Sequence, residues 1–412
     1  MIQFKEHILP NGLKVIIHED RSTPLAALNI AYNVGSKHEQ PHRTGFAHLF
    51  EHLMFGGSRN IPNFDEPLQL VGGDNNAYTT IDLTNYYLTI PANNLETSFW
   101  LESDRMLELD FSQKSLDIQK NVVIEEFKQR YLNHPYGDVW SLMRSTAYKV
   151  HPYQWPTIGK DPKHIEEATL EEVKQFFYSH YAPNNAVLVA AGNIQEEQIL
   201  EWSNKWFGSI PNRTLTPHNI PVEPKQTEQR QLVVERDVPF DAIYMAWHMC
   251  DRLHPDYYAT DLISDVLSNG QSSRMFRKLV IEQQLFNELD AYISGDHDAG
   301  LFAVAGKLNE GVSIEKAQEA IQLEIQAICN EMVDEYELQK VKNKVESTLI
   351  YTEMNFLNKA MNLANYSILG NIDLINQQSS SYQNVTPKDL HRVANTIFRD
   401  KNCSVIHYLK KC

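Results

Sequence analysis

Cysteine is scarce in this sequence: Cys250, Cys329, Cys403 and Cys412 are the four in a chain of 412 residues. None stands two positions from another, which leaves no zinc ribbon and no thioredoxin-type pair. So sparse a set builds no disulfide framework and fits a reducing compartment. Long apolar runs are also missing. The longest, such as Ala186–Ala191, fall far short of the roughly 20 residues that a membrane span needs. The N-terminal Met1-Ile2-Gln3-Phe4-Lys5-Glu6-His7 carries charges where a secretory leader needs its apolar stretch. A cytoplasmic protein is therefore expected, with the periplasm open to a longer precursor that is trimmed. Positive charge is in deficit: 37 Lys and Arg stand against 53 Asp and Glu, for a net charge of −16. That balance argues against nucleic-acid binders and binders of anionic membranes, both of which want a basic face.

What is present is enough for folded cores, with 42% hydrophobic and 22% charged residues. The length calls for two or three domains, and two is the natural count. Short strands alternate with long helices. Leu13–Ile17 after the turn pair Asn11-Gly12, and then Ala26–Val34, read as strands of a hairpin-rich sheet. Gly45–Phe55 reads as a buried helix ended by Gly56-Gly57, Tyr78–Ile90 as strand, and Leu95–Leu132 as helix with a charged outer face. Thr169-Leu-Glu-Glu172 is a capping box, and Ala186–Ala191 a buried strand. Residues 211–230, with Pro211, Pro217, Pro221 and Pro224, read as a linker between a domain at 1–210 and another at 231–412.

A repeat crosses that linker. Thr169 leads through a helix to Asn184-Asn185-Ala186-Val187, and Thr386 leads through a helix to Lys401-Asn402-Cys403-Ser404. Thr169 to Thr386 and Asn185 to Asn402 are the same 217 positions. The expected fold class is therefore α+β: two similar domains, each a mostly antiparallel or mixed sheet covered by helices.

Chemistry concentrates in His48-Leu49-Phe50-Glu51-His52. On a helix, two histidines four apart share a face and can grip one ion, and Glu51 lies on the same side. The order is the inverse of the H-E-x-x-H found in ordinary zinc peptidases. Apolar flanks, Phe46-Ala47 and Leu53-Met54-Phe55, bury the helix, and buried imidazoles beside a carboxylate are costly unless something compensates them. A catalytic zinc wants a third protein ligand and an open position. Asn121-Val-Val-Ile-Glu125-Glu126-Phe127 places paired glutamates in an apolar helical stretch. Periodicity favours Glu126, which shares a face with Val122 and Val123, and leaves Glu125 on the surface.

These segments, with Gly73-Asp-Asn-Asn76-Ala77-Tyr78-Thr79, resemble the pitrilysin/insulinase family of zinc metallopeptidases, in its half-size, processing-peptidase-like branch. The glutamate follows the second histidine at the family's spacing, 74 residues here. The likeness continues through His151-Pro152-Tyr153, Gly159, Gly192-Asn193 and Ser272–Phe276, and is weaker in the second half. It implies His48, His52 and Glu126 as zinc ligands and Glu51 as general base. It also implies an edge strand at Asn76 and Ala77 that receives the substrate backbone. Two departures stand out. Gln119 occupies a position where relatives carry a further glutamate, and Val280 and Asn287 align with a substrate-binding arginine and tyrosine, Arg277 and Tyr292 being out of register. Aligning Gly57 with Gly270 sets Asp261, Ser264 and Asp265 against the motif, where a solvated or capping role is expected rather than a second metal.

The resemblance implies an endopeptidase acting in a closed chamber of four such domains. A chain with two domains implies a second subunit: a sister chain bearing the arginine and tyrosine is favoured, with a homodimer next. The reading from another class is a non-catalytic core subunit of a larger complex.

Overall fold

A computed structural model describes residues 1–215 and 219–411, so Pro217 of the expected linker and Cys412 lie outside the described residues. The first sheet comprises β1 (Lys5–Ile8), β2 (Lys14–Glu19), β3 (Leu25–Tyr32), β4 (Asp74–Thr79), β5 (Thr84–Pro91) and β6 (Ala186–Gly192), in the order β1-β2-β6-β3-β5-β4. β1 and β2 form a hairpin, but β2 and β3 do not pair. β6 lies between them, parallel to β2 and antiparallel to β3. Its seven residues are all buried, as befits an unbroken apolar run in a central strand. β4 pairs only with β5 and forms one edge.

The second sheet comprises β7 (Arg230–Arg236), β8 (Ala242–His248), β9 (Phe286–Ile293), β10 (Leu301–Leu308) and β11 (Cys403–Lys410), in the order β7-β11-β8-β10-β9. β11 repeats the manoeuvre of β6: it enters late, parallel to β7 and antiparallel to β8. The repeat extends to single hydrogen bonds. Helices Leu170–His180 and Pro387–Ile397 both open on a capping box, at Thr169 and Thr386. Asn185 Nδ2 donates to the carbonyl of His180 at 2.8 Å, and Asn402 Nδ2 to that of Ile397 at 2.9 Å.

The compact units are not consecutive in sequence. One contains Met1–Lys128, Trp155–Ile220 and Ile350–Gln377, and the other Gln129–Gln154, Pro221–Leu349 and the chain from Gln378 on. Residues 129–154 and 350–377 thus depart from the expected division into 1–210 and 231–412. The physical reason is a helix exchange. Helix Phe356–Leu369 lays Ala360, Leu363 and Ala364 against Ile16, Ala31, Val187, Val189 and Ala191 of the first sheet. Helix Val139–Ala147 packs on β7, β8 and β11 of the second. The two helices begin 217 residues apart, so the same element of the repeat is exchanged in both directions. The long helix expected over 95–132 is broken into Leu95–Leu107 and Gln113–Phe127, with Ser112 capping the second, and a wider turn at Lys128–Leu132.

Candidate metal centre

The motif helix runs Phe46–Leu53 in the first unit. Gly45 begins it at φ +92°, and a Cβ there would come within 2.6 Å of the Ile158 carbonyl, so the turn requires glycine. The two carboxylate oxygens of Glu39 accept the Gly45 and Ala47 amides, each at 2.8 Å, completing the helix start. Burial outweighs those bonds and pushes the Glu39 carboxyl up to about 8. Phe46, Ala47, Leu49, Phe50 and Leu53 point into the core, where the Phe50 ring stacks on Phe176 and Tyr181 at 4.9 and 5.2 Å. The remaining positions carry the polar residues: His48 is 7% exposed, and Glu51 and His52 are half-buried.

Helix Gln113–Phe127 packs against this one and brings Glu126 to it. Glu126 Oε2 lies 3.3 Å from His52 Nε2 and 3.7 Å from His48 Nε2. One donor atom from each of the three lies within 4.8 Å of the others, and among the described residues no other such group of three occurs. Ligands of a tetrahedral zinc ion at about 2 Å stand roughly 3.3 Å apart, so two imidazole nitrogens and one carboxylate oxygen fit that ion in chemistry, and the two Glu126 spacings are close to its size. Glu126 shares the buried face of its helix only in part. Val123 is buried, but Val122 is 44% exposed, which places Glu126 at the margin of the buried face rather than within it. Glu125 is exposed and pairs with Lys128 at 2.6 Å.

Glu51 lies beside this group, and its Oε2 accepts a hydrogen bond from Thr79 Oγ1 at 2.6 Å. Thr79 ends β4, the edge strand that also holds Asn76 and Ala77. The Ala77 amide donates to Asn76 Oδ1 at 2.8 Å. Thr79 closes a segment that carries the resemblance, but neither its role nor that of Glu39 is legible from sequence, because each acts across a turn or between elements, where helical or strand periodicity carries no signal.

The second unit carries no comparable group among its described residues. Asp261, Ser264 and Asp265 sit on helix Tyr257–Ser268, and the expectation of solvated carboxylates is corrected. Asp265 is 9% exposed and accepts from Asn269, while Asp261 accepts from the Tyr382 hydroxyl. Burial pushes Asp261 up to about 6. Val280 packs against the core of this unit, and Asn287 is exposed on β9 with Nδ2 3.3 Å from the Leu308 carbonyl. Arg277 pairs with Glu282, and Tyr292 lies against Trp140 at 5.7 Å.

Residues 14–161 match the family model described as insulinase (peptidase family M16), and residues 167–345 the model described as peptidase M16 inactive domain. The chain is 29% identical over 406 residues to the zinc protease PqqE of Helicobacter pylori, covering 97% of this chain and 91% of that one. The crystal structure of a protease from Helicobacter pylori superposes with a TM-score of 0.93 at 27% identity, covering 99% of this chain and 100% of the other. The periplasmic protease PqqL of Escherichia coli shares the fold with a TM-score of 0.81 at 17% identity, covering 98% of this chain but 47% of that one. Two adjoining models of one family account for most of the sequence, and the chain belongs to the insulinase family, peptidase family M16.

Proposed function

We propose that this protein is a zinc-dependent endopeptidase that hydrolyses peptides or unfolded segments. The observation that carries the reading is the convergence of His48, His52 and Glu126 within 4.8 Å with Glu51 alongside. The names of relatives as zinc proteases support it. His48, His52 and Glu126 would hold the ion, which when bound supplies Lewis acidity, polarising a carbonyl and acidifying water. Glu51 takes the proton of the attacking water and delivers it to the leaving amine. β4 offers its outer edge to the substrate backbone, and an incoming strand gains the Ala77 amide by displacing the Asn76 carboxamide.

A closed chamber with a second chain completes this reading. The chain's fold spans about half of a longer protease chain, PqqL, which supports a partner supplying the other half. Val280 and Asn287 at the aligned clamp positions favour a sister subunit carrying arginine and tyrosine over a homodimer. A cytoplasmic setting rests on the sequence alone, whose four cysteines include none two positions from another. The competing reading, a non-catalytic core subunit, draws on the recurrence of this fold in a Complex III structure from Candida albicans.

Metal analysis and one substitution decide between them. The purified chain, alone and with a candidate sister subunit, is expected to hold one zinc per chain. Chelation should abolish peptide hydrolysis and added zinc restore it. Glu51→Gln should lower kcat by roughly 10²–10⁴-fold, the usual contribution of a positioned acid–base group. Hydrolysis unaffected by Glu51→Gln, or a chain that takes up no zinc, leaves the core-subunit reading.

A further inference from the structure

Thr79 stands where two parts of the proposed machinery meet. Its hydroxyl donates to Glu51 Oε2 at 2.6 Å, a short, charge-assisted bond. Its backbone is the last residue of β4, paired with Thr84 on β5. Thr84 is fully buried and its Oγ1 donates to the Val34 carbonyl at 2.8 Å, which pins the ladder at that end. The turn that follows is closed by the Thr80 amide on the Leu83 carbonyl at 2.8 Å, while Thr80 Oγ1 accepts the Asp82 and Leu83 amides. A β-branched side chain on such a backbone has little rotamer freedom left. The alternation of a strand puts Ala77 on the same face as Thr79, and that residue lies on the edge offered to the substrate.

We propose that Thr79 is the positioning residue for Glu51: it fixes the carboxylate at one oxygen and so sets the direction in which the base meets its proton. The inference rests on the peptidase reading above. It adds that the strand that receives the substrate backbone and the hydroxyl that orients the base are one rigid piece. Peptide binding on β4 and base alignment are thereby coupled within about one turn of chain. Glu51 sits on a helix, and a glutamate side chain has three rotatable bonds, so without such a bond its carboxylate samples several rotamers. Thr79 is not one of the three residues grouped to hold the ion, and its hydroxyl donates to Glu51 instead.

The test compares wild type, Glu51→Gln, Thr79→Val, Thr79→Ala and Thr79→Ser as zinc-loaded protein, with any partner that wild-type activity requires. Valine keeps the shape and the β-branch and removes only the hydroxyl; alanine serves if valine disturbs the strand. The expected result is a kcat lower by roughly 10–100-fold in Thr79→Val, the usual effect of losing an outer partner at a metal site, with KM within about two-fold. Zinc stoichiometry, zinc affinity and thermal midpoint should match wild type, Thr79→Ser should restore most of kcat, and Thr79→Val should cost nothing further in the Glu51→Gln background. The proposal is overturned by wild-type kcat in both Thr79→Val and Thr79→Ala, by loss of zinc in step with activity, or by a rise in KM at constant kcat. If wild type is inert, or Glu51→Gln is as active as wild type, the peptidase reading itself fails and this inference falls with it. An active wild type, an inactive Glu51→Gln and an unimpaired Thr79→Val would reject the role of Thr79 alone.

Discussion

Glu39 is fully buried, yet it is needed where it is: without its oxygens the Gly45 and Ala47 amides at the start of the motif helix would be left without these acceptors. Replacing it by alanine should cost about 1–3 kcal/mol, the penalty for unsatisfied buried donors. The pH dependence follows from its raised carboxyl. A carboxyl whose folded value is pushed from 4.5 to about 8 contributes fully below its unfolded value and progressively loses that contribution as pH rises to about 8. The urea midpoint of wild type should therefore fall between about pH 5 and pH 9 by more than that of Glu39→Gln, which has no proton to lose there. Parallel slopes for the two proteins would show that Glu39 is ionised throughout. What sequence could show at this scale was periodic. His48, Glu51 and His52 stand out because a helix repeats every three to four residues, and Glu126 because it follows Val122 and Val123 at helical spacing. Glu39, nine residues before His48, meets the start of the motif helix, and Thr79, on another element, meets Glu51, through contacts that have no fixed spacing.

The elements of the two halves repeat down to their turn chemistry, and this gives a matched pair of substitutions. Asn402 Nδ2 donates to the Ile397 carbonyl at 2.9 Å and the His248 carbonyl at 2.9 Å, and the residue is 4% exposed. Asn185 donates to the His180 carbonyl at 2.8 Å and the Asn33 carbonyl at 3.3 Å, but is partly exposed. Alanine at Asn402 should cost about 1–3 kcal/mol, because the bonds are lost in a buried turn. At Asn185 water can replace the side chain, and about 0.5–1.5 kcal/mol is expected. Circular dichroism during urea unfolding measures both, and a larger loss at Asn185 would refute burial as the source of the difference. Most elements were legible, because capping boxes and buried runs are local signals, but the single strand expected over Tyr78–Ile90 is two, β4 and β5, which pair antiparallel across a turn. The strand order was not legible. Nothing local tells β6 to enter between β2 and β3, since that choice depends on burying both faces of an apolar strand. The break near 108–112 was hidden for a related reason: Ser112 caps a second helix within a stretch whose apolar spacing continues across it.

The whole molecule is organised by exchange, and that is the level at which sequence said least. A linker rich in proline marks where the repeat restarts, but not where each core draws its helices. The first sheet needs Phe356–Leu369, which contributes Ala360, Leu363 and Ala364 to a core with Ile16, Ala31, Val187, Val189 and Ala191. Residues 1–210 alone lack that helix and would expose this apolar face to water. Each fully buried leucine-sized side chain is worth about 1.5–3 kcal/mol, and a domain's net stability is only about 5–15 kcal/mol. A fragment ending at residue 210 should therefore be soluble poorly or not at all, bind hydrophobic dyes and unfold without a sharp transition. Joining residues 350–377 to residue 220 through a flexible Gly/Ser segment, and replacing 129–154 by another, supplies the missing helix. That construction should restore cooperative urea unfolding and bind one zinc through His48, His52 and Glu126, all of which it retains. A fragment of residues 1–210 that unfolds as sharply as the joined form would mean that the exchanged helix covers a face already stable without it.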